Sequence, residues 1–126
     1  MATNGTFIWN ELISADQIGS SQFYAKLLGW ERKEVDTGDD KSYSIFIKDG
    51  RIVGGMMGLP DDDPTATSHW EPYIAVDNVD ACAERIPRLG GKLLTPPHDI
   101  PDIGRVCLIR DPSGAQVALV TEKDDG

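Results

Sequence analysis

The residue best placed to do chemistry is Glu11. It lies inside the run TFIWNELI, among Phe7, Ile8, Trp9, Leu12 and Ile13. A carboxylate in the middle of an apolar segment must be exposed, paired or functional. Burial raises a carboxyl pKa and suits the group to general-base work. Arg105 is a candidate partner, in which case the two are either functional or a structural ion pair. A second run, HWEPYIAV at 69–76, carries His69, Glu71 and Tyr73. The phenol of Tyr73 is another group able to satisfy Glu11. His69 and His98 are the only histidines. A site built from His69, Glu71 and Glu11 can be drawn for a divalent metal, but spacing alone is weak support for a ligand set.

Other motifs carry less. Asp61, Asp62 and Asp63 lack the ligand spacing and closing glutamate of a calcium loop, so they read as solvated. Ser113-Gly114 has no nucleophile-elbow pattern around it. Gly54-Gly55 has no strand–loop–helix context for cradling phosphate and reads as a bulge or a close backbone approach. Cys82 and Cys107 form neither a CxxC pair nor a disulfide framework. They read as reduced thiols of a cytoplasmic protein.

Composition narrows the partners. Lys plus Arg is 12 and Asp plus Glu is 21 in 126 residues, for a net charge of −9. Nucleic acid and anionic membrane surfaces need clustered basic side chains, so neither is an expected partner. No apolar run approaches the ~20 residues of a membrane span. The opening MATNGTFIWNEL has no basic segment leading into an apolar one, so no signal peptide is expected. A small cationic or neutral molecule remains open as a ligand.

The elements that must position these residues follow from pattern. Residues 6–13 read as a strand. Ser14 or Asp16 caps a helix with Tyr24, Leu27 and Leu28 on one face and Phe23 beside it, and Gly29 stops it. Three short strands follow near 30–35, 42–48 and 51–57, the last two joined at Asp49-Gly50. The polar stretch PDDDPTATS at 60–68 reads as a linker. The pattern then restarts with a strand at 69–76, a helix capped by Asp77 or Asn78, and a glycine stop at Gly90-Gly91. Pro87 should kink or shorten that helix. Strands near 92–95, 105–110 and 116–121 complete the second set, the last two joined by the turn Asp111-Pro112-Ser113-Gly114.

The order is therefore strand, helix, three strands, twice. An offset of 61 residues aligns Leu28-Gly29 with Leu89-Gly90, Asp16 with Asp77 and Trp9 with Trp70. An offset of 62 aligns Gly29 with Gly91, Leu12 with Ile74 and Trp9 with Glu71. The choice matters because side chains alternate faces along a strand. The expected organisation is one domain: module one at 5–59, linker at 60–68, module two at 69–122.

This doubled βαβββ pattern resembles the vicinal oxygen chelate superfamily of glyoxalases, extradiol dioxygenases and bleomycin-resistance proteins. The residues that carry the resemblance are Phe23-Tyr24, Leu28-Gly29-Trp30, the run Ile74 to Asp80, Leu89-Gly90-Gly91 and Asp111-Pro112-Ser113-Gly114. A metal-poor branch of glyoxalase-like proteins is closer. It is similar in Trp9-Asn10-Glu11-Leu12, in His69 to Val76 and in Pro96 to Arg105. The resemblance implies an α+β fold in which each module forms half a barrel. One sheet face meets the helix and the other lines a cavity. It also implies a homodimer.

Metal enzymes of the superfamily place ligands on the first and last strands of each module. Those positions fall here on Trp9, near Met56 or Met57, on Glu71 and on Ala118. Tryptophan and alanine cannot ligate, and a thioether suits hard cations poorly. No cofactor is therefore expected, a divalent metal held around Glu71 and His69 being the alternative. Strand alternation sends Pro72, Ile74 and Val76 to the helix side and Trp9, Glu11, Glu71 and Tyr73 to the cavity. The loop at 95–104 would cover the cavity mouth, with Asp99 and Arg105 at its rim, or be a rigid surface loop.

Two aromatics and two carboxylates suit a cationic or aromatic small molecule. The leading expectation is a binding protein without the usual metal. The alternative is a lyase, isomerase or dioxygenase that uses Glu11 as base or an atypical metal site.

Overall fold

The computed structural model describes residues 3–36, 43–61, 63–100 and 103–123. Ser42, Asp62, Pro101 and Asp102, which fall in an expected strand, linker and loop, lie outside them. The described elements are β1 (Thr6–Ser14), α1 (Gln17–Leu28), β2 (Glu31–Val35), β3 (Tyr43–Lys48), β4 (Arg51–Gly58), β5 (His69–Ala75), α2 (Val79–Arg85), a 3-10 turn (Pro87–Leu89), β6 (Lys92–Ile100), β7 (Gly104–Arg110) and β8 (Gln116–Glu122). The class is α+β, with the strand, helix, three-strand order repeated as expected. No described helix is long and apolar enough to cross a membrane. The chain divides into two compact units, Asn10–Trp70 and Met1–Trp9 with Glu71–Gly126, so β1 starts in one and ends in the other.

In the unit Asn10–Trp70 the strand order is β2-β3-β4-β1. β2, β3 and β4 run antiparallel in succession, and β1 lies parallel to β4. Leu12, Phe46 and Met56 form its core, with Tyr24 and Trp30 against them. α1 starts at Asp16, whose carboxylate accepts from the Gly19 N–H at 2.9 Å, and stops at Gly29, which is left-handed at φ 75°. A β-carbon is costly in that conformation, which is why glycine ends the helix.

The helix does not bury the face expected of it. No residue of α1 is buried, Phe23 is 58% exposed and Leu27 is 62% exposed. The side nearer the sheet carries Gln17, Ser20, Ser21 and Tyr24 instead, all of them partly buried. Tyr24 and the Ser20 hydroxyl, 2.8 Å from Ser14 Oγ, tie the helix to the sheet. The Tyr24 ring stacks on Trp30 at 5.2 Å between centroids and meets Phe46 and Trp70 edge-on, while its hydroxyl accepts from Trp70 Nε1 at 3.0 Å. Trp70 is thus part of this aromatic cluster.

The second unit repeats the plan. β6, β7 and β8 run antiparallel in succession, and β5 lies parallel to β8. One sheet face meets α2: Val79, Ile86, Cys107 and Leu119 are buried there, with Ile74, Val76 and Cys82 against them. The other face buries Tyr73, Val106, Ala118 and Val120, with Trp9 and Ile8 against them. Ile74 and Val76 therefore face the helix and Tyr73 faces away, as alternation requires. α2 ends at Arg85 and Pro87 opens a 3-10 turn, because a proline ring cannot continue the ladder.

Both repeat offsets are real, each in its own stretch. Leu12 and Ile74 both face a helix, and Asp16 and Asn78 both cap one, which is the offset of 62. The left-handed stops are Gly29 and Gly90, which is the offset of 61. A 3-10 turn rises ~2.0 Å per residue against ~1.5 Å for an α-helix, so the second helical segment covers its span with one residue fewer. Trp9 and Glu71 are consequently equivalent positions.

The two phenylalanines of this region separate core from surface. Phe46→Ala should cost about 3–5 kcal/mol of stability in urea unfolding. Phe23→Ala, two-fifths buried at an α1 surface, should cost under ~1 kcal/mol.

Candidate functional site

Glu11 is 4% exposed and lies on the face of its unit opposite α1, since its neighbour Leu12 points to the helix-side core. Tyr43 on β3 donates its hydroxyl to Glu11 Oε2 at 3.0 Å. The expected partner Arg105 does not fill that role, because it is turned to Asp80 and Asp99. Tyr73 packs in the apolar cluster of its own unit. Tyr43 escaped the sequence reading. Its signal was its place two residues before Ile45 on β3, on the same face.

Glu71 is 9% exposed and accepts from Gln116 Nε2 at 2.9 Å. Gln116, the first residue of β8, was also missed. Tyr73 follows on the same face, two residues on, and Trp9 packs against its cluster. The structure thus brings Trp9 and Tyr73 together, with Glu71 two residues before Tyr73 on the same strand, and places Glu11 in the other compact unit. His69 faces the Thr67 carbonyl oxygen through Nδ1 at 2.6 Å. His98 does the same with Pro96 at 3.0 Å.

Asp99 and Arg105 also meet. They are cross-strand partners, and Arg105 binds Asp99 at 3.3 Å and Asp80 through two donors at 2.8 and 3.0 Å. The hydrogen bonds from Arg105 hold the Asp80 carboxyl below its ordinary value, and those acids, Asp80 foremost, hold the guanidinium charged. The expected loop at 95–104 is for the most part not a loop. β6 continues to Ile100, paired with β7, and its ladder slips between Leu93 and Thr95 and again between Thr95 and His98. Pro96 and Pro97 fall inside the second slip. Prolines cannot donate to a ladder, so an edge strand absorbs them at an irregularity.

The metal positions of the superfamily can be tested on the ladders. Tyr73 pairs with Ala118 in β8, and the equivalent Glu11 pairs with Gly55 in β4. The module-one position expected near Met56 or Met57 is therefore Gly55, while Met56 is fully buried on the helix side. Trp9, Gly55 and Ala118 offer no donor, and only Glu71 does. Among the described residues no three His, Cys, Asp or Glu cluster as a metal site. The residues at these positions do not fit the chelate.

An open cavity of about 570 Å³ lies at the start of α1, lined by Ser14, Gln17, Arg32 and Glu34 among others. It is on the helix side of its sheet, away from Glu11, since Arg32 pairs with the core residue Phe46.

Two solution measurements check these environments. Asp80 has a lowered native pKa, so its pairing stabilises the fold above the ordinary carboxyl value of 3.8 and loses that effect as pH falls through the lowered value. NMR titration of Arg105→Gln should return Asp80 toward 3.8. Burial, with Cys82 and Asp80 nearby, pushes the Cys107 thiol up to about 11. At pH 8 iodoacetamide should alkylate Cys82 well ahead of Cys107 in the folded protein, read by mass spectrometry.

Comparison with known proteins agrees with this architecture. The family model for the glyoxalase/bleomycin resistance protein/dioxygenase superfamily matches residues 8–119. CFP32 of Mycobacterium tuberculosis, provisionally named a glyoxylase, is 34% identical over 111 residues, covering 88% of this chain and 42% of that protein. The anthracycline biosynthesis protein DnrV of Streptomyces peucetius is 29% identical over 127 residues, covering 91% and 46%. The chain thus spans under half the length of these curated relatives. Among solved structures, methylmalonyl-CoA epimerase from Mycobacterium tuberculosis superposes with a TM-score of 0.62 at 17% identity, covering 98% of this chain and 93% of that one, a likeness of fold. With the doubled strand–helix–three-strand order and the parallel closing strands, the match assigns this chain to the glyoxalase/bleomycin resistance protein/dioxygenase superfamily.

Proposed function

We propose that this protein binds a small organic molecule bearing a positive charge and an aromatic surface, without the superfamily's chelated metal. Glu11 serves as the anionic anchor of one unit, and Glu71 serves as that of the other, beside the ring surface of Trp9 and Tyr73. The burial of Glu11 on a helix-free sheet face carries this reading: it is 4% exposed beside Tyr43, where an apolar side chain would cost nothing to desolvate. Glu71, at 9% exposed and bonded to Gln116, repeats the device. Carboxylates of this kind recognise a cation through charge-assisted hydrogen bonds. Asp99 and Arg105, expected at the rim, are left out of this reading: Val106 faces the Tyr73 cluster, so Arg105 and its partner Asp99 turn to the other face, where Arg105 holds Asp80 of α2. DnrV, whose name places it in anthracycline biosynthesis, supports a small-molecule role by similarity.

A second reading makes Glu11 a general base in a lyase or isomerase. The Tyr43–Glu11 bond favours it, because a base must be oriented before it can remove a proton. In that case exchange of an α-carbonyl proton in D2O should be catalysed and should vanish in Glu11→Gln.

The ligand reading is tested with berberine, a flat aromatic cation, titrated by fluorescence. The expected dissociation constant is about 100 µM or tighter, with a loss of tenfold or more in Glu11→Gln and in Glu71→Gln. The anionic dye 1-anilinonaphthalene-8-sulfonate should bind more weakly than berberine. Equal binding of the two dyes, or berberine binding indifferent to both substitutions, would overturn it.

A further inference from the structure

Glu11 and Tyr43 are not on neighbouring strands. Glu11 pairs with Gly55, and Gly55 pairs in turn with Ile45, making one row across β1, β4 and β3. The next row is Ile13, Met57 and Tyr43. Neighbouring strands lie ~4.8 Å apart, so β1 and β3 are separated by about 9.6 Å. The Tyr43 hydroxyl nonetheless reaches Glu11 Oε2 at 3.0 Å. The contact spans the whole width of β4, and it does so beside Gly55, which lies on the same face as Glu11 and Ile45.

Paired residues of a ladder present their side chains on the same face. A side chain at position 55 would stand between Glu11 and Ile45, on the path the carboxylate takes toward Tyr43. We propose that Gly55 is the opening across β4 that lets Tyr43 hold Glu11, and that Tyr43 and Gly55 are positioning residues for the cation-binding carboxylate. This rests on the reading of Glu11 as the ligand anchor. The phenol donates to one carboxylate oxygen and so fixes the direction of the group. A carboxylate already oriented loses less freedom when a cationic ligand binds, which favours affinity. The same glycine that removes a donor from a superfamily metal position thereby has a use of its own.

The test uses the full chain labelled with 13C-glutamate, with the Glu11 carboxyl resonance assigned by its loss in Glu11→Gln. In ligand-free protein that resonance should move in Tyr43→Phe, which deletes only the hydroxyl, and in Gly55→Ala, which adds only a methyl group. Berberine affinity should fall about tenfold in Tyr43→Phe. An unmoved resonance in Tyr43→Phe overturns the contact, and an unmoved one in Gly55→Ala overturns the role of the glycine. If the resonance moves in both variants but the native protein does not bind berberine, the ligand reading falls while the strand-crossing contact stands. A resonance that moves with berberine affinity unchanged overturns the positioning role.

Discussion

Parallel pairing of the first and last strands of each repeat is the constraint on which the rest depends. Two parallel strands cannot be joined by a tight turn and need a crossover. Here the crossover is a helix and two further strands, and the last strand returns beside the first. β1 meets β4 through Glu11 and Gly55, and β5 meets β8 through Tyr73 and Ala118. Once those pairs are set, the period of two along a strand assigns every other side chain to a face. Leu12, Met56, Ile74 and Leu119 go to the helices. Glu11 and Tyr73 go to the opposite faces, and Glu71 follows Tyr73 by alternation.

This constraint also explains why the chain departs from the chelating members of its superfamily. The paired positions that could carry ligands hold glycine and alanine, the two smallest residues. Ala118 closes the space into core, packed with Tyr73, Val106 and Val120. Gly55 leaves it for a polar contact between strands once removed. The two halves therefore use one backbone plan for different interiors.

Much of the fold was legible in the chain because local chemistry and tertiary need agree. Asp16 and Asn78 cap helices by accepting from the N–H three residues on, and Gly29 and Gly90 end helical segments in a conformation glycine enters without penalty. Pro87 breaks the second helix where the pattern placed it. The misreadings have a common cause. The proline-rich segment from Thr95 looked like a loop because its prolines spoil a regular ladder, yet an edge strand with slipped register accommodates them. The apolar residues of α1 looked like a core face, yet the helix meets its sheet through a tyrosine ring set among Trp30, Phe46 and Trp70 and through the Ser20–Ser14 hydroxyl contact.

By itself the sequence determined the element order, the caps and stops, the doubling and the alternation of faces along each strand. These are properties of a few residues close in the chain, set by propensity, capping and period. Only the tertiary structure decided which acid meets which partner. Glu11 finds Tyr43 rather than Arg105, Arg105 finds Asp80 and Asp99, and Glu71 finds Gln116. Such pairings join residues up to 45 positions apart. They depend on strand order and ladder register, quantities that no short window of sequence contains, because register is fixed by what the whole sheet must bury.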